Sequence, residues 1–257
     1  MSTALDSIIA GVLEDLQFRK TQEPQIQNQV KFAPPPRAVE EFFVPSEINV
    51  IAEIKRSSPS KGILAEISNP VALAQNYQKG GASAISVLTE SRRFKGTIED
   101  FLAVRKNIDI PMLRKDFIVD EYQVYESRVI GADLQLLIVA ALDKPRLRDF
   151  FQLGTELDMN SLFEVHTMAE LEIAMDLNPK MVGVNCRNLK TLELDFSIFS
   201  QILPQIPQGI IKVAESGISS RSEVSEIEKL GANAILVGET LVKSGDPLRA
   251  IGELRGR

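Results

Sequence analysis

Charged residues set inside apolar runs carry most of the chemical information in this sequence. Val50-Ile51-Ala52 continues into Glu53-Ile54-Lys55, so two ionisable side chains two residues apart share one side of an extended chain. Leu113-Arg114-Lys115-Asp116-Phe117, Leu162-Phe163-Glu164-Val165, Gly183-Val184-Asn185-Cys186-Arg187 and Ala214-Glu215-Ser216-Gly217 repeat the pattern. A buried charge is costly unless it is paired. A set of such interruptions therefore points to one shared polar site. Two lysines, three glutamates, an asparagine and an arginine then gather around one mouth. The ligand should be anionic. Lys55, Arg56 and Lys61 follow the first run, and Arg92, Arg93 and Lys95 follow the second. Lys115 ends the third and Arg187 follows the sixth, so basic side chains surround the site in an acidic protein. Ser216-Gly217 and Gly238-Glu239 add glycines that let backbone N–H groups approach an anion closely.

These residues need a frame that turns them toward one place. Eight short apolar runs supply it: Val50–Ile54, Ala84–Leu88, Pro111–Leu113, Leu134–Val139, Leu162–Val165, Met181–Val184, Ile210–Ala214 and Ala234–Val237. Their starts lie about 20 to 34 residues apart, the span of a βα unit. Little alternation within them fits strands buried on both faces. Helical spacing follows Pro70 (Val71, Leu73, Ala74, Tyr77) and recurs at Met168–Leu177 and Val224–Leu230. Gly81-Ala82, Gly131-Ala132 and Gly231-Ala232 mark helix ends just before strands. Eight such units predict an α/β fold, a (β/α)8 TIM barrel, with a doubly wound open sheet as the alternative. In a barrel the interrupting charges fall at the C-terminal strand ends, where active sites lie, and the loops after strands seven and eight form the usual phosphate site. Alternation aims Lys115 inward with Leu113 and Phe117, and turns Arg114 and Asp116 outward. Lys55 and the basic loops should pull the Lys115 pKa down and Glu53 should pull it up.

Composition narrows the class. The chain has 257 residues and a net charge of −6, with a single cysteine and a single histidine. One domain spanning residues 1–257 is expected, with residues 1–48 as an N-terminal helical extension. Leu5, Ile8, Val12 and Leu16 give a helix from about Thr3 to Lys20 an apolar stripe that should cap part of the barrel and border the site. Pro34-Pro35-Pro36 stops helix formation. Nucleic-acid binding, a membrane span and a secretory signal are not expected, and a soluble cytoplasmic protein is. A disulfide framework and a His/Cys metal site cannot be assembled. Cys186 is turned away from the pocket by alternation, and His166, two residues past Glu164, is within reach of the mouth, although a structural role is expected for it. The Walker A pattern is absent, since Ser58-Pro59-Ser60-Lys61-Gly62 lacks its first glycine.

The chain resembles the indole-3-glycerol phosphate synthases. Six segments carry the resemblance, in order along the chain: Ala52–Gly62, Leu113–Ile118, Phe163–His166, Gly183–Leu189, Ala214–Ile218 and Val237–Glu239. It implies ring closure of a carboxyphenylamino-deoxyribulose 5-phosphate, with loss of carbon dioxide and water and with no metal or organic cofactor. It also implies roles. Lys115 is the general acid and Glu164 the partner acid/base, with Glu53 and Lys55 tuning them. Asn185 binds a hydroxyl, Arg187 contacts the substrate carboxylate, and Glu215 borders the substrate. Ser58 lies in the mobile first loop, and Phe94 and Phe117 wall the aromatic ring. Ser216, Gly217, Gly238 and Glu239 cradle the phosphate through backbone N–H groups. A monomer or weak homodimer acting on a small phosphorylated, anthranilate-derived substrate is expected, with no fused second barrel. The alternatives are another phosphate-binding barrel, such as phosphoribosylanthranilate isomerase, or a non-catalytic barrel that binds a phosphorylated ligand.

Overall fold

The computed structural model describes residues 3–257. All eight apolar runs are strands: β1 Asn49–Ile54, β2 Ala84–Leu88, β3 Met112–Lys115, β4 Leu134–Ile138, β5 Asn160–Val165, β6 Met181–Asn185, β7 Ile211–Glu215 and β8 Ala234–Val237. They pair in parallel in the order β1-β8-β7-β6-β5-β4-β3-β2, and β2 closes back on β1. The sheet is a closed barrel, which overturns the open-sheet alternative.

Every strand is buried on two faces, and alternation divides its residues between two cores. Val50, Ala52 and Ile54 pack outward against helices, while Ile51 packs inward with Leu113, Leu162, Val213 and Leu236. The inward positions change character toward the C-terminal ends. Above that apolar layer stand Glu53, Lys115, Glu164, Asn185 and Glu215. Asn185 pairs with Glu215 across β6 and β7, and Glu164 pairs with Ile138 across β5 and β4.

The strands are joined by α2 Pro70–Lys79, α3 Ile98–Arg105, α4 Glu121–Val129, α5 Lys144–Glu156, α6 Met168–Met175, α7 Ser197–Ile202 and α8 Arg221–Lys229, and α9 Glu239–Lys243 and α10 Pro247–Arg255 follow β8. Helices α2, α4 and α8 each end just before a Gly-Ala pair whose glycine has φ of +90, +88 and +96°, respectively, the left-handed turn expected there. After β1 the chain makes a small antiparallel ribbon, Ser57–Ser58 with Gly62–Ile63, at the barrel mouth.

The N-terminal helix α1, Ala4–Gln22, runs two residues beyond the expected end. Thr3 and Asp6 form a capping box at its start. Leu5, Ile8 and Val12 join the barrel's interior cluster, while Leu16 packs with Ile26 and Tyr122. Arg92 ties the helix down, with Nη1 at 2.6 Å from Glu14 and Nη2 at 2.7 Å from Asp15. Arg114 and Asp116 do point out of the barrel, but both are buried beneath α4.

Candidate active site

A cavity opens at the C-terminal ends of the strands, and all fourteen residues singled out from the sequence line it. Glu53, Lys55, Lys115, Glu164, Asn185 and Glu215 come from strand ends, and Arg187 lies two residues past β6. Ser58, from the ribbon, and Phe94 and Phe117, with ring centroids 6.0 Å apart, form walls. Ser216, Gly217, Gly238 and Glu239 border the side after β7 and β8. Ile8 of α1 also reaches the cavity.

At the floor Lys115 Nζ lies 2.6 Å from Glu164 Oε2 and 3.3 Å from Glu215 Oε2. Asn185 Nδ2 donates to Glu164 Oε1 at 3.0 Å. Lys55 Nζ lies 2.5 Å from Glu53 Oε2. Burial pulls the Lys115 pKa down, but Glu164, Glu215 and Glu53 outweigh it and leave the ammonium harder to deprotonate than usual. The basic loops are not what sets it, contrary to the expectation that they would depress it. Burial raises Glu164, yet Lys115 and His166 reverse that and hold its carboxyl well below the usual range. Glu215 goes the other way. Burial pushes it up against the pull of Lys115, Glu164 and Glu53 add to the push, and it reaches about 8. Two neighbouring glutamates are thus driven to opposite protonation states, a pattern of acid–base sites.

The basic rim is weaker than the sequence suggests. Arg56 pairs with Asp100, Arg92 with Glu14 and Asp15, and Lys61 with Glu239 at 2.8 Å. Arg93 bonds Ser7 Oγ at 2.7 Å. Long cations near a barrel rim find carboxylates on adjacent helices, which a linear count of charges does not reveal. The cations lining the cavity are Lys55, Lys115 and Arg187, and the last donates to Leu192 O at 2.9 Å and Ser60 Oγ at 3.2 Å.

The two glycines expected to cradle phosphate answer to different constraints. Ser216 and Gly217 both have left-handed backbones, with φ of +74 and +70°, and a Cβ on Gly217 would come within 2.7 Å of the Phe196 ring. A Cβ on Gly238 would instead come within 2.6 Å of Glu53 Oε2, so crowding there falls on the floor of the site. The Glu239 carboxylate is held by Lys61 and by Lys243 at 2.9 Å.

Two residues outside the expected set touch the site. A Cβ on Gly183 would lie 2.0 Å from Glu215 Oε1, so glycine is what leaves room for that carboxylate. Nothing in the sequence marks this. His166, expected to be structural, places Nε2 at 3.3 Å from Glu164 Oε1 and Nδ1 at 3.1 Å from Glu170 Oε2. Its spacing of two from Glu164 was the available signal.

Similarity agrees with this geometry. The family model described as indole-3-glycerol phosphate synthase matches residues 5–254. The chain belongs to that family. A protein of that name from Kineococcus radiotolerans is 48% identical over 259 residues, covering 98% of this chain and 94% of its own. Another from Mycolicibacterium smegmatis is 49% identical over 255 residues, with the same coverage of 98% and 94%. A solved 3-hexulose-6-phosphate synthase matches with a TM-score of 0.64 at 15% identity, covering 81% of this chain and 99% of its own, and shares the barrel fold. The family's activity is a carbon–carbon lyase reaction of tryptophan biosynthesis. It closes the ring of 1-(2-carboxyphenylamino)-1-deoxyribulose 5-phosphate, with decarboxylation and dehydration, to give indole-3-glycerol phosphate. Family membership rules out the isomerase and the non-catalytic barrel as readings of this chain. Among the described residues no helix is long and apolar enough to cross a membrane.

Proposed function

We propose that Lys115 and Glu164 are the acid and base of this synthase reaction, and that the other lining residues hold its substrate. The carrying observation is the contact of 2.6 Å between Lys115 Nζ and Glu164 Oε2 at the floor of the cavity. A raised pKa keeps Lys115 protonated until a stronger demand arrives. That demand is the alkoxide formed when the aromatic carbon attacks the substrate carbonyl. Lys115 gives its proton to that oxygen, and the positive site stabilises the forming charge. Carbon dioxide then leaves and returns its electron pair to the ring. Glu164, ionised at the start, accepts a proton and returns it during loss of the hydroxyl as water. Asn185 fixes Glu164 and is available to the hydroxyl. Glu53 and Lys55 form the adjoining pair, and Glu215 sits against Lys115.

The remaining assignments follow the substrate's chemistry. Phe94 and Phe117 pack on the aromatic ring, Arg187 takes the carboxylate, and Ser58 closes over it from the ribbon. The backbone at Ser216, Gly217, Gly238 and Glu239 takes the phosphate, while the Glu239 carboxylate is kept occupied by two lysines. The reaction runs on protein side chains without metal or organic cofactor. Residues 1–257 act as one domain, a cytoplasmic monomer or weak homodimer, with residues 1–48 as a helical extension; α1 packing into the barrel's interior cluster supports this.

Purified protein mixed with the deoxyribulose substrate should give indole-3-glycerol phosphate, followed by its fluorescence. Glu164→Gln should bind substrate and slow turnover by about 10²-fold or more. Near-normal turnover in that variant would remove Glu164 from its role.

A further inference from the structure

A second cavity of about 190 Å³, the rear cavity, adjoins the first. Asn185 lines both. Its wall includes His166 and Glu170, and its rim residues Thr167, Asn188 and Lys190 are exposed, so it has its own opening to solvent. His166 itself is buried. Its ring bridges from Glu170 Oε2, 3.1 Å from Nδ1, to Glu164 Oε1, 3.3 Å from Nε2. Glu170 is partly exposed and also accepts the His166 backbone N–H at 2.7 Å, which fixes the ring against α6. A line of polar groups therefore runs from solvent through Glu170, His166 and Glu164 to Lys115, with His166 Nε2 close to Glu164 but not hydrogen-bonded to it.

The reaction has a use for such a line. Its substrate enters with an ionised carboxylate that leaves as neutral carbon dioxide. Dehydration is proton-neutral, because the hydroxyl leaving as water gains one proton and the new ring loses one. The proton that Lys115 gives to the carbonyl oxygen therefore has to be replaced from outside in every turnover. Substrate fills the front cavity while this happens.

We propose that the rear cavity is a proton entry, in which His166 passes protons from solvent to Glu164 and so restores Lys115. The imidazolium gives its Nε2 proton to Glu164, Glu164 gives a proton to the Lys115 amine, and a proton from solvent or buffer entering the rear cavity recharges the ring. No bond other than N–H and O–H changes. His166 touches no substrate and acts through Glu164, so it is a positioning residue. The proposal rests on Glu164 being the acid/base. The charged groups around the ring support it: Glu164 from β5 and Glu170 from α6 in contact, with Lys190 and Asp195 across the cavity. Burial pulls the ring's pKa down, but the two glutamates outweigh it and raise it to about 9, so it is charged at neutral pH.

Three variants test this in the full-length enzyme. His166→Ala should lower kcat by about 10-fold or more while KM stays within about two-fold, as loss of a proton-transfer group does. Added imidazole, entering the rear cavity, should restore kcat saturably. His166→Gln keeps size and polarity but carries no proton, so it should lose kcat as well. Glu170→Gln removes one of the groups that raise the ring's pKa, so the alkaline limb of the kcat profile should move to lower pH. Full kcat in His166→Gln overturns the relay, as does imidazole that leaves a slowed His166→Ala unchanged. If His166→Ala does not fold, His166→Gln and the Glu170→Gln profile decide, and an unmoved limb counts against the proposal. Glu164→Gln separates the two readings. If it is slow while the His166 variants are normal, only the relay fails; if it is fast, the assignment of Glu164 fails first.

Discussion

Adjacent residues of one strand lead to two charged clusters with opposite properties. Arg114 points out of the barrel and makes five hydrogen bonds: Nε to Thr89 Oγ1 at 3.1 Å, Nη1 to Gln123 O at 3.1 Å and Ser127 Oγ at 3.2 Å, and Nη2 to Asp116 Oδ2 at 3.0 Å and Glu126 Oε2 at 2.7 Å. That is the full donor complement of a guanidinium. Thr89 Oγ1 in turn donates to Asp116 at 2.6 Å. Lys115, one residue on, meets Glu164 and Glu215, and neither Glu215 oxygen has a hydrogen-bond partner among the described residues. The closed cluster has nothing left to offer a ligand. The open one keeps unsatisfied capacity in a solvent-accessible cavity, which is what a site needs to bind and move protons. Burial of charge alone therefore does not mark function; what sets Lys115 and its partners apart from the Arg114 cluster is unsatisfied capacity beside a cavity.

The sharpest way to break this contrast is to delete each cation. Lys115→Ala should lose about 10²–10⁴-fold in turnover, read by steady-state kinetics, while still binding substrate. Near-normal turnover would return the acid role to Lys55, which faces the same cavity. Arg114→Met should do the converse. It leaves Asp116 buried without its cation and Glu126 with Arg19 alone, and stability should fall by about 3–5 kcal/mol in urea unfolding. Turnover per folded molecule should change little. Loss of activity with intact stability would show that the outer cluster serves the site after all.

A pH series sharpens the contrast further, because Glu215 has its pKa raised from the usual 4.5 to about 8. The unfolded chain releases this proton at lower pH than the folded chain does. The stability that Glu215 contributes is therefore full below about pH 4.5 and is lost progressively as pH rises to about 8. Glu215→Gln cannot titrate. Its urea midpoint should gain on that of the wild type across this window, and a constant difference would show that Glu215 is not held neutral. The smallest effect is expected in the outer cluster. Ser127→Ala removes one of Arg114's five acceptors and should cost about 1 kcal/mol, with kcat and KM unchanged.

Much of this was legible in the sequence, and the reason is local. Strand alternation is fixed by backbone geometry, so a charge at a given place in an apolar run must face a given side. That was enough to send Glu53, Lys115, Glu164, Asn185 and Glu215 to one barrel mouth, and to separate Lys115 from Arg114. Helix ends at Gly81, Gly131 and Gly231 were readable because the left-handed turn favours one residue type. What tertiary structure decided was pairing. Alternation says that Arg114 points outward, but only α4 packed across β3 supplies the acceptors that close its cluster. The rim arginines read as free charge until Asp15 of α1 and Asp100 of α3 came within reach. Gly183 looked like any strand glycine until Glu215 of the next strand filled the space above it. His166 acquired a glutamate near each end of its ring in the same way, Glu164 from β5 and Glu170 from α6. Direction is a property of the chain and is written residue by residue. Proton affinity depends on which charges lie within a few ångströms once water is excluded, and closure of the barrel sets those distances.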